Sequence, residues 1–293
     1  MKVSLVIRTY NEEMYLGNLL EGVKNQVCPN FNVEVILVDS GSTDRSVEIA
    51  KNYGCVITYI KKEEFSFGKS LNIGCDAATG DVLVFVSGHC IPVNEHWLAK
   101  ISAPIFNGIV AYTYGGQVGN ETSKFSECQI FKKYFPNVSS IPQEGFFCNN
   151  ANSAIRKSAW EKHQFDEVLT GLEDMHLAKG LVAAGESIGY VADAAVYHLH
   201  NETWGKIKNR FEREAIALQN IMPEVHLRFL DFVRYSTSAI FLDFKKAREQ
   251  RSFFKYAYEI IRYRLAQYWG SYRGNHIHRK LSKTVKEKYF YPV

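Results

Sequence analysis

The sequence predicts an α/β fold: a mostly parallel central sheet flanked by helices, with a helical C-terminal extension. Three observations carry that prediction. Short apolar runs of strand length alternate with amphipathic segments over residues 2–86, which implies parallel strands joined by crossover helices. Polar residues collect just past the apolar runs, at residues 9–12, 39–42 and 87–89, where sheets of this kind bind ligands. From Thr203 onward the pattern is helical.

KVSLVI (residues 2–7) forms the first strand and is stopped by the polar RTYNEE; residues 14–27 then place Leu16, Leu19, Leu20 and Val23 at helical spacing. VEVILVD (33–39) repeats the pattern. SGSTD makes its turn, with Ser42 or Thr43 as cap, and a helix follows over about 44–53. Strand CVITYI (55–60), the loop KKEEFSFG, a helix from Lys69 to about Ala78 and strand DVLVFV (81–86) complete the alternation. Between 107 and 196, the strands IVAYTYGG and SIGYVADAAVYHL mix with helices near 123–134, 157–163 and 174–184. No internal repeat or low-complexity tract interrupts them.

A chain of 293 residues that is 46% hydrophobic can bury a full core, and it fits one large domain (1–215) with a smaller basic, aromatic, helical region after it (216–293). No apolar run reaches the roughly 18 to 20 residues that span a bilayer. MKVSLVIRTYNEE lacks the basic and small-residue segments of a secretion signal, so a strand is expected at that end. Cys28, Cys55, Cys75, Cys90, Cys128 and Cys148 are scattered without CxxC spacing, which suits a reducing compartment and predicts a cytoplasmic protein. The net charge of +4 conceals an asymmetry: residues 245–293 carry 13 Lys/Arg against 3 Asp/Glu, while residues 1–244 are net negative. RTYNEE contains neither the glycines of a dinucleotide loop nor a P-loop, and FGKS (67–70) is only a fragment of the latter.

VIRTYNEEMYL, VILVDSGSTDRSVEIA, FSFGKSLNIGCDAATGDVLVFVSGHCIP, NNANSAIRKSAW, GLEDMHLAKGLVAAG and YVADAAVYHLH follow one another along the chain. In this order they resemble the inverting glycosyltransferases of family 2, over about residues 1–215. FSFGKSLN is most similar to bacterial polysaccharide enzymes of the rhamnosyltransferase-like kind. The resemblance implies a GT-A fold and inverting transfer of a sugar from a nucleotide-activated donor to a hydroxyl of a glycan or lipid-linked acceptor in bacterial surface polysaccharide synthesis. Such a reaction needs a base for the acceptor proton, positive charge for the leaving phosphates and a polar loop for the nucleoside.

By that resemblance Asp39 receives the base or ribose of the donor, with Thr9, Tyr10, Asn11 and Glu12 as the opposite wall. Lys69 and Asn72 lie one helical turn apart and can face the same donor. Asp174 is the expected catalytic base, with Glu173 orienting the acceptor or supporting the site, although two carboxylates at a helix start also serve the helix dipole alone. Asn149, Asn150, Asn152 and Ser153 precede Arg156 and can bond sugar hydroxyls or satisfy a loop backbone. Arg210 and Arg213 share a helix face, where they can clamp phosphates or remain solvated.

The fourth strand ends in VFVSGHCIP. Family members usually carry Asp-x-Asp there, and Ser87 and His89 occupy the two Asp positions around Gly88. Imidazole suits manganese and other transition metals better than magnesium, and His198 and His200 of YHLH share a face on extended chain. Two mechanisms stay open: His89 with His198 or His200 holds a manganese-like ion, or the enzyme works without a divalent metal and uses histidine and basic residues on the leaving group. A nucleoside diphosphate hexose or deoxyhexose is the first expectation for the donor, and a CMP-linked acid sugar stays open.

KKAREQRSFFKYAYEIIRYRLAQYWGSYRG interleaves cations with aromatic rings. That composition fits a helix on an anionic membrane surface, and equally a basic helix packed on the catalytic domain, so the enzyme is expected to be peripheral on the inner face of the cell membrane. Nucleic-acid binding would leave Asp39, Glu173 and Asp174 unexplained. Two rival functions remain: an inactive relative binding nucleotide or glycan as a partner subunit, and a nucleotidyltransferase.

Overall fold

The computed structural model describes residues 1–276 and 289–290. They divide into two compact units, one of residues 1–120, 134–168 and 173–199, the other of residues 121–133, 169–172 and 200 onward. Residue 215, where the sequence places the end of the larger domain, falls inside a helix of the second unit.

The first unit is built on an eight-stranded sheet. Its strands are β1 (Lys2–Thr9), β2 (Asn32–Asp39), β3 (Val56–Tyr59), β4 (Val82–Ser87), β5 (Cys90–Pro92), β6 (Tyr112–Val118), β7 (Asn152–Arg156) and β8 (Ile188–His198), in the spatial order β3-β2-β1-β4-β7-β6-β8-β5. β1, β2, β3 and β4 run parallel; β7 is antiparallel to both β4 and β6, and β8 is parallel to β6. β1 and β4 lie inside the sheet and are almost wholly buried, as continuous apolar runs such as VLVFV require.

Helices α1 (Glu13–Lys24), α2 (Ser46–Asn52), α3 (Phe67–Ala77) and α4 (Trp97–Phe106) cover the sheet. α1 inserts Leu16, Leu19, Leu20 and Val23 into a core shared with Val3, Leu5, Ile7, Val84, Trp97 and Ile101. α3 begins where Ser66 caps the Lys69 amide at 3.1 Å, two residues before the expected start. β5 and α4 were not anticipated, since Pro104 within α4 masks its helical period. The amide-rich NNANSAIR, to which the sequence assigned no strand, contains the central strand β7, whose Ala154 and Ile155 are fully buried.

The second unit contains α5 (Phe125–Tyr134), α8 (Trp204–Ile221), α9 (Phe229–Glu249) and α10 (Phe253–Asn275). α6 (Lys157–Lys162) and α7 (Glu173–Ala183) belong to the first unit. α10 lies so close along α8 that a Cβ at Gly270 would sit 2.3 Å from the Lys208 carbonyl oxygen. Buried Arg264 grips Asp243 with two hydrogen bonds of 2.8 and 2.9 Å, and the Ser126 hydroxyl donates to the same carboxylate at 2.6 Å, tying α10, α9 and α5 together. Residues 277–288 and 291–293 of the basic C-terminal region lie outside the described residues. Among the described residues no helix is long and apolar enough to cross a membrane.

Candidate active site

Strand register brings the polar loops together. Thr9 pairs with Asp39 across β1 and β2, and Arg8 pairs with Ser87 across β1 and β4, so three loops leave one edge of the sheet side by side. Two of them are zipped together. Asn11 donates its backbone N–H to Ser42 Oγ and accepts from the Thr43 amide through Oδ1; the Glu12 amide donates to Ser46 Oγ, and the Glu13 amide to Asp44. Asn11 holds a left-handed backbone, φ 54°, which its short polar side chain supports locally. Asp39 is 2% exposed and accepts from the Gly41 and Ser42 amides, which shapes the turn. Thr9 Oγ1 is buried without a hydrogen-bond partner among the described residues, and the Tyr10 ring lies under the Lys62 ammonium, 5.6 Å from its centroid. The loop of β4 follows. A Cβ on Gly88 would stand 3.0 Å from the Glu12 side chain, so glycine lets Glu12 reach past it.

Glu12 reaches His89. Its Oε1 lies 2.7 Å from His89 Nδ1, and His89 Nε2 lies 3.2 Å from Nε2 of His198 at the end of β8. His198 Nδ1 in turn lies 2.7 Å from Gln117 Oε1. The tautomers follow from the surroundings. The Ala151 amide donates to Asn149 Oδ1, which also accepts from Gln117 Nε2; Gln117 therefore presents oxygen to His198, whose Nδ1 must carry hydrogen. An ionised Glu12 demands the same of His89. With both rings neutral, two unprotonated Nε2 atoms face one another, an arrangement that a shared cation, or one shared proton, relieves. Metal-binding histidines are commonly held this way, with the far nitrogen donating to an oxygen, so this pair fits a divalent transition metal. His200 opens the second unit, where its Nδ1 lies 2.8 Å from Glu127 Oε1.

Glu173 and Asp174 open α7, as the sequence predicts, and both are buried. Asp174 accepts backbone N–H bonds from Asn150 at 2.8 Å and Met175 at 2.7 Å. Burial and the neighbouring Glu173 charge nevertheless push its carboxyl up to about 7, against the pull of those amides and of Arg8. Glu173 is bound by Arg8 at 3.1 Å, and the Arg8 guanidinium lies over the Phe67 ring. Asn150 spends its oxygen on the Tyr112 and Ser153 hydroxyls, leaving Nδ2 buried with no hydrogen-bond partner among the described residues. Arg8, Gln117 and the Glu12–His89 bond were not anticipated, because each depends on strands far apart in sequence.

Several expected contacts lie elsewhere. Asn72 points into the core, where it bonds the Phe165 carbonyl and amide, Trp160 Nε1 and Glu167. Asn152 is fully buried on Trp97 Nε1 and the Gly116 and Ala194 carbonyls. Arg156 pairs with Val82 at the opposite end of β4 and binds Glu186. Asn72 and Asn152 spend their amides on these buried partners, and Arg156 reaches Glu186. Lys69 extends to Glu64 at 3.0 Å. In the second unit, Arg210 is buried between Glu202 and Glu127, Arg213 donates to the Tyr289 carbonyl, and Arg210 and His200 hold the Glu202 carboxyl down at about 2 despite burial.

The sequence profile named "Glycosyl transferase family 2" matches residues 4–164. Among curated relatives, the O-antigen chain rhamnosyltransferase RfbN of Salmonella typhimurium is 26% identical over 216 residues, covering 69% of this chain and 68% of its own. The O-antigen chain rhamnosyltransferase WbaN of Salmonella anatum is 29% identical over 214 residues, covering 68% and 67%. Solved structures share the fold. The mannosyltransferase PcManGT from Pyrobaculum calidifontis, in complex with GDP-Man and Mn2+, superposes with a TM-score of 0.62 at 15% identity over 99% of this chain and 87% of that one. S. aureus TarS 1-349 with UDP-GlcNAc gives 0.53 at 18% identity over 95% and 93%. The fold is GT-A. The profile match spans more than half of the sequence, and the chain belongs to glycosyl transferase family 2, the glycosyltransferases.

Proposed function

We propose that this glycosyltransferase moves a hexosyl or deoxyhexosyl group, with inversion, from a nucleoside diphosphate donor to a hydroxyl of a glycan or lipid-linked glycan in bacterial surface polysaccharide synthesis, on the cytoplasmic face of the membrane. The likeness to RfbN and WbaN supports the polysaccharide context and a rhamnosyl-type donor. The observation that carries the chemistry is Asp174, a buried carboxylate held near neutrality at a helix start. A base with its pKa close to the working pH is both ionised in part and basic enough to take a hydroxyl proton.

In this reading the crevice between residues 9–12 and 39–42 holds the nucleoside, with Thr9 Oγ1 offering a free buried group to it. Asn150 Nδ2 offers a second such group beside Asp174, to a sugar or acceptor oxygen. Asp174 takes the proton of the acceptor hydroxyl as its oxygen attacks the anomeric carbon, and the bond to the donor phosphate breaks on the opposite face. Arg8 and Glu173 set the charge around that carboxylate. His89 and His198 are the residues that would hold a divalent metal, whose contribution is to neutralise charge on the departing diphosphate. Glu12 and Gln117 keep both rings in the ligating tautomer. Ser87 and Gly88 let the β4 loop pass close to Glu12.

The test is nucleotide release from a panel of UDP-, GDP-, dTDP- and CMP-sugars, with the anomeric configuration of any product followed by NMR. Release from a diphosphate donor with inverted product is expected. Retention of configuration, or release confined to CMP donors, overturns the reading.

A further inference from the structure

We propose that the tip of the α9–α10 hairpin docks on an anionic lipid surface, placing Phe241, Leu242, Phe254 and Tyr258 among the headgroups. The inference uses residues of the second unit alone; it deepens the membrane placement in the proposed function and is independent of the catalytic residues. α9 and α10 are joined by a short turn in which Arg251 adopts φ 55°, its amide bonding the Arg248 carbonyl at 2.9 Å and the Ser252 amide that of Ala247 at 2.8 Å. The turn satisfies its own backbone, so the hairpin end is closed and compact.

Two sets of apolar side chains occupy the last turns of α9 and the first turns of α10. Ala247 and Ile260 are fully buried and, with Phe125, Phe244 and Phe253, close the local core. The second set has no such role: Phe254 is 96% exposed, Phe241 76%, Tyr258 69% and Leu242 61%. Phe254 and Tyr258 continue as Ile261 and Leu265 at helical spacing, so one exposed apolar stripe runs down α10 from the tip.

The charge around the tip selects the partner. Lys245, Lys246, Arg248, Arg251 and Lys255 lie on the same stretch of chain as the exposed rings, with Arg248 over the Phe253 ring and Lys255 over that of Tyr256. Between residues 241 and 258 the only acids are Asp243, buried on Arg264, and Glu249, paired with Lys246. Large apolar groups ringed by cations match lipid phosphates above acyl chains, where each ring gains burial by itself and each cation keeps a polar partner. A protein partner would have to desolvate the same cations, and stable protein interfaces recruit roughly 20–30 residues a side, far more than this tip presents.

Full-length protein is sedimented with phosphatidylglycerol-containing vesicles and with vesicles of phosphatidylcholine alone. Binding to the former only, released by salt, is expected. Phe241→Ser with Phe254→Ser should weaken that binding at least tenfold while leaving donor hydrolysis and the melting temperature unchanged. Lys245→Gln with Lys246→Gln and Lys255→Gln should weaken it and flatten its salt dependence, which tests the same surface without touching an apolar side chain. The proposal is overturned by a wild-type protein that ignores phosphatidylglycerol, by a Phe variant that binds as wild type, or by a tip whose loss dissolves a dimer instead.

Discussion

His89 and His198 face each other Nε2 to Nε2 at 3.2 Å, with the far nitrogen of each ring committed to a neighbour, Glu12 for one and Gln117 for the other. With both rings neutral, two lone pairs aimed at one point make a weak contact on their own and a good site for a cation. Manganese is therefore expected to raise the melting temperature of the wild-type protein, and His198→Ala to abolish that rise. Gln117→Leu, which keeps both ligands but frees the tautomer, should weaken manganese binding about 10- to 100-fold. Equal melting curves with and without manganese would favour the metal-free mechanism.

Asp174→Asn keeps the shape of the buried side chain and removes its capacity to take a proton. Turnover should fall roughly 10²- to 10⁴-fold, with nucleotide affinity unchanged. Surviving turnover in single-turnover assays would move the base elsewhere.

The pH profile should follow the same carboxylate. Activity requires its ionised form, so the rate should rise through an apparent pKa near 7 and level above it. Glu173→Gln removes the like charge that holds the proton on, and should shift the limb to lower pH. Arg8→Met removes the neighbouring cation and should shift it to higher pH. Opposite displacements in the two variants are the signature to look for in kcat/KM profiles.

Stability should carry the opposite dependence. The carboxyl titrates near 7 in the folded chain against an ordinary value of 3.8, so the folded state binds the proton more tightly. That contribution is full below about pH 4 and is lost as pH rises through 7. The stability difference between wild type and Asp174→Asn should thus move in favour of Asp174→Asn as pH rises from about 4 through 7. Denaturant melts at several pH values measure it, and a difference independent of pH would contradict the buried, charge-repelled environment.

The alternation of apolar runs and helical segments over residues 2–86 was legible because each element there buries its own periodic face. β7 was not, since Asn152 and Ser153 look like loop residues until Trp97 and the β6 and β8 carbonyls are seen to absorb the polarity of Asn152, and Asn150 Oδ1 that of Ser153. The same fact explains Asn72 and Asn152. An amide that satisfies core backbone is indistinguishable in sequence from one that binds a sugar. Asp39, Asp174 and His89, the last with His198 or His200, were singled out by motif and strand-end position, whereas Arg8 and Gln117 gain meaning only from pairing across the sheet.

The interlocked loops of β1 and β2 carry one more consequence. Residues 11–13 and 42–46 exchange their backbone donors with each other's side chains, so neither loop is complete without the other. They form a cassette. An attempt to transplant nucleotide preference from a relative should move both segments together, because a single-loop graft strands amides that its new neighbour cannot receive.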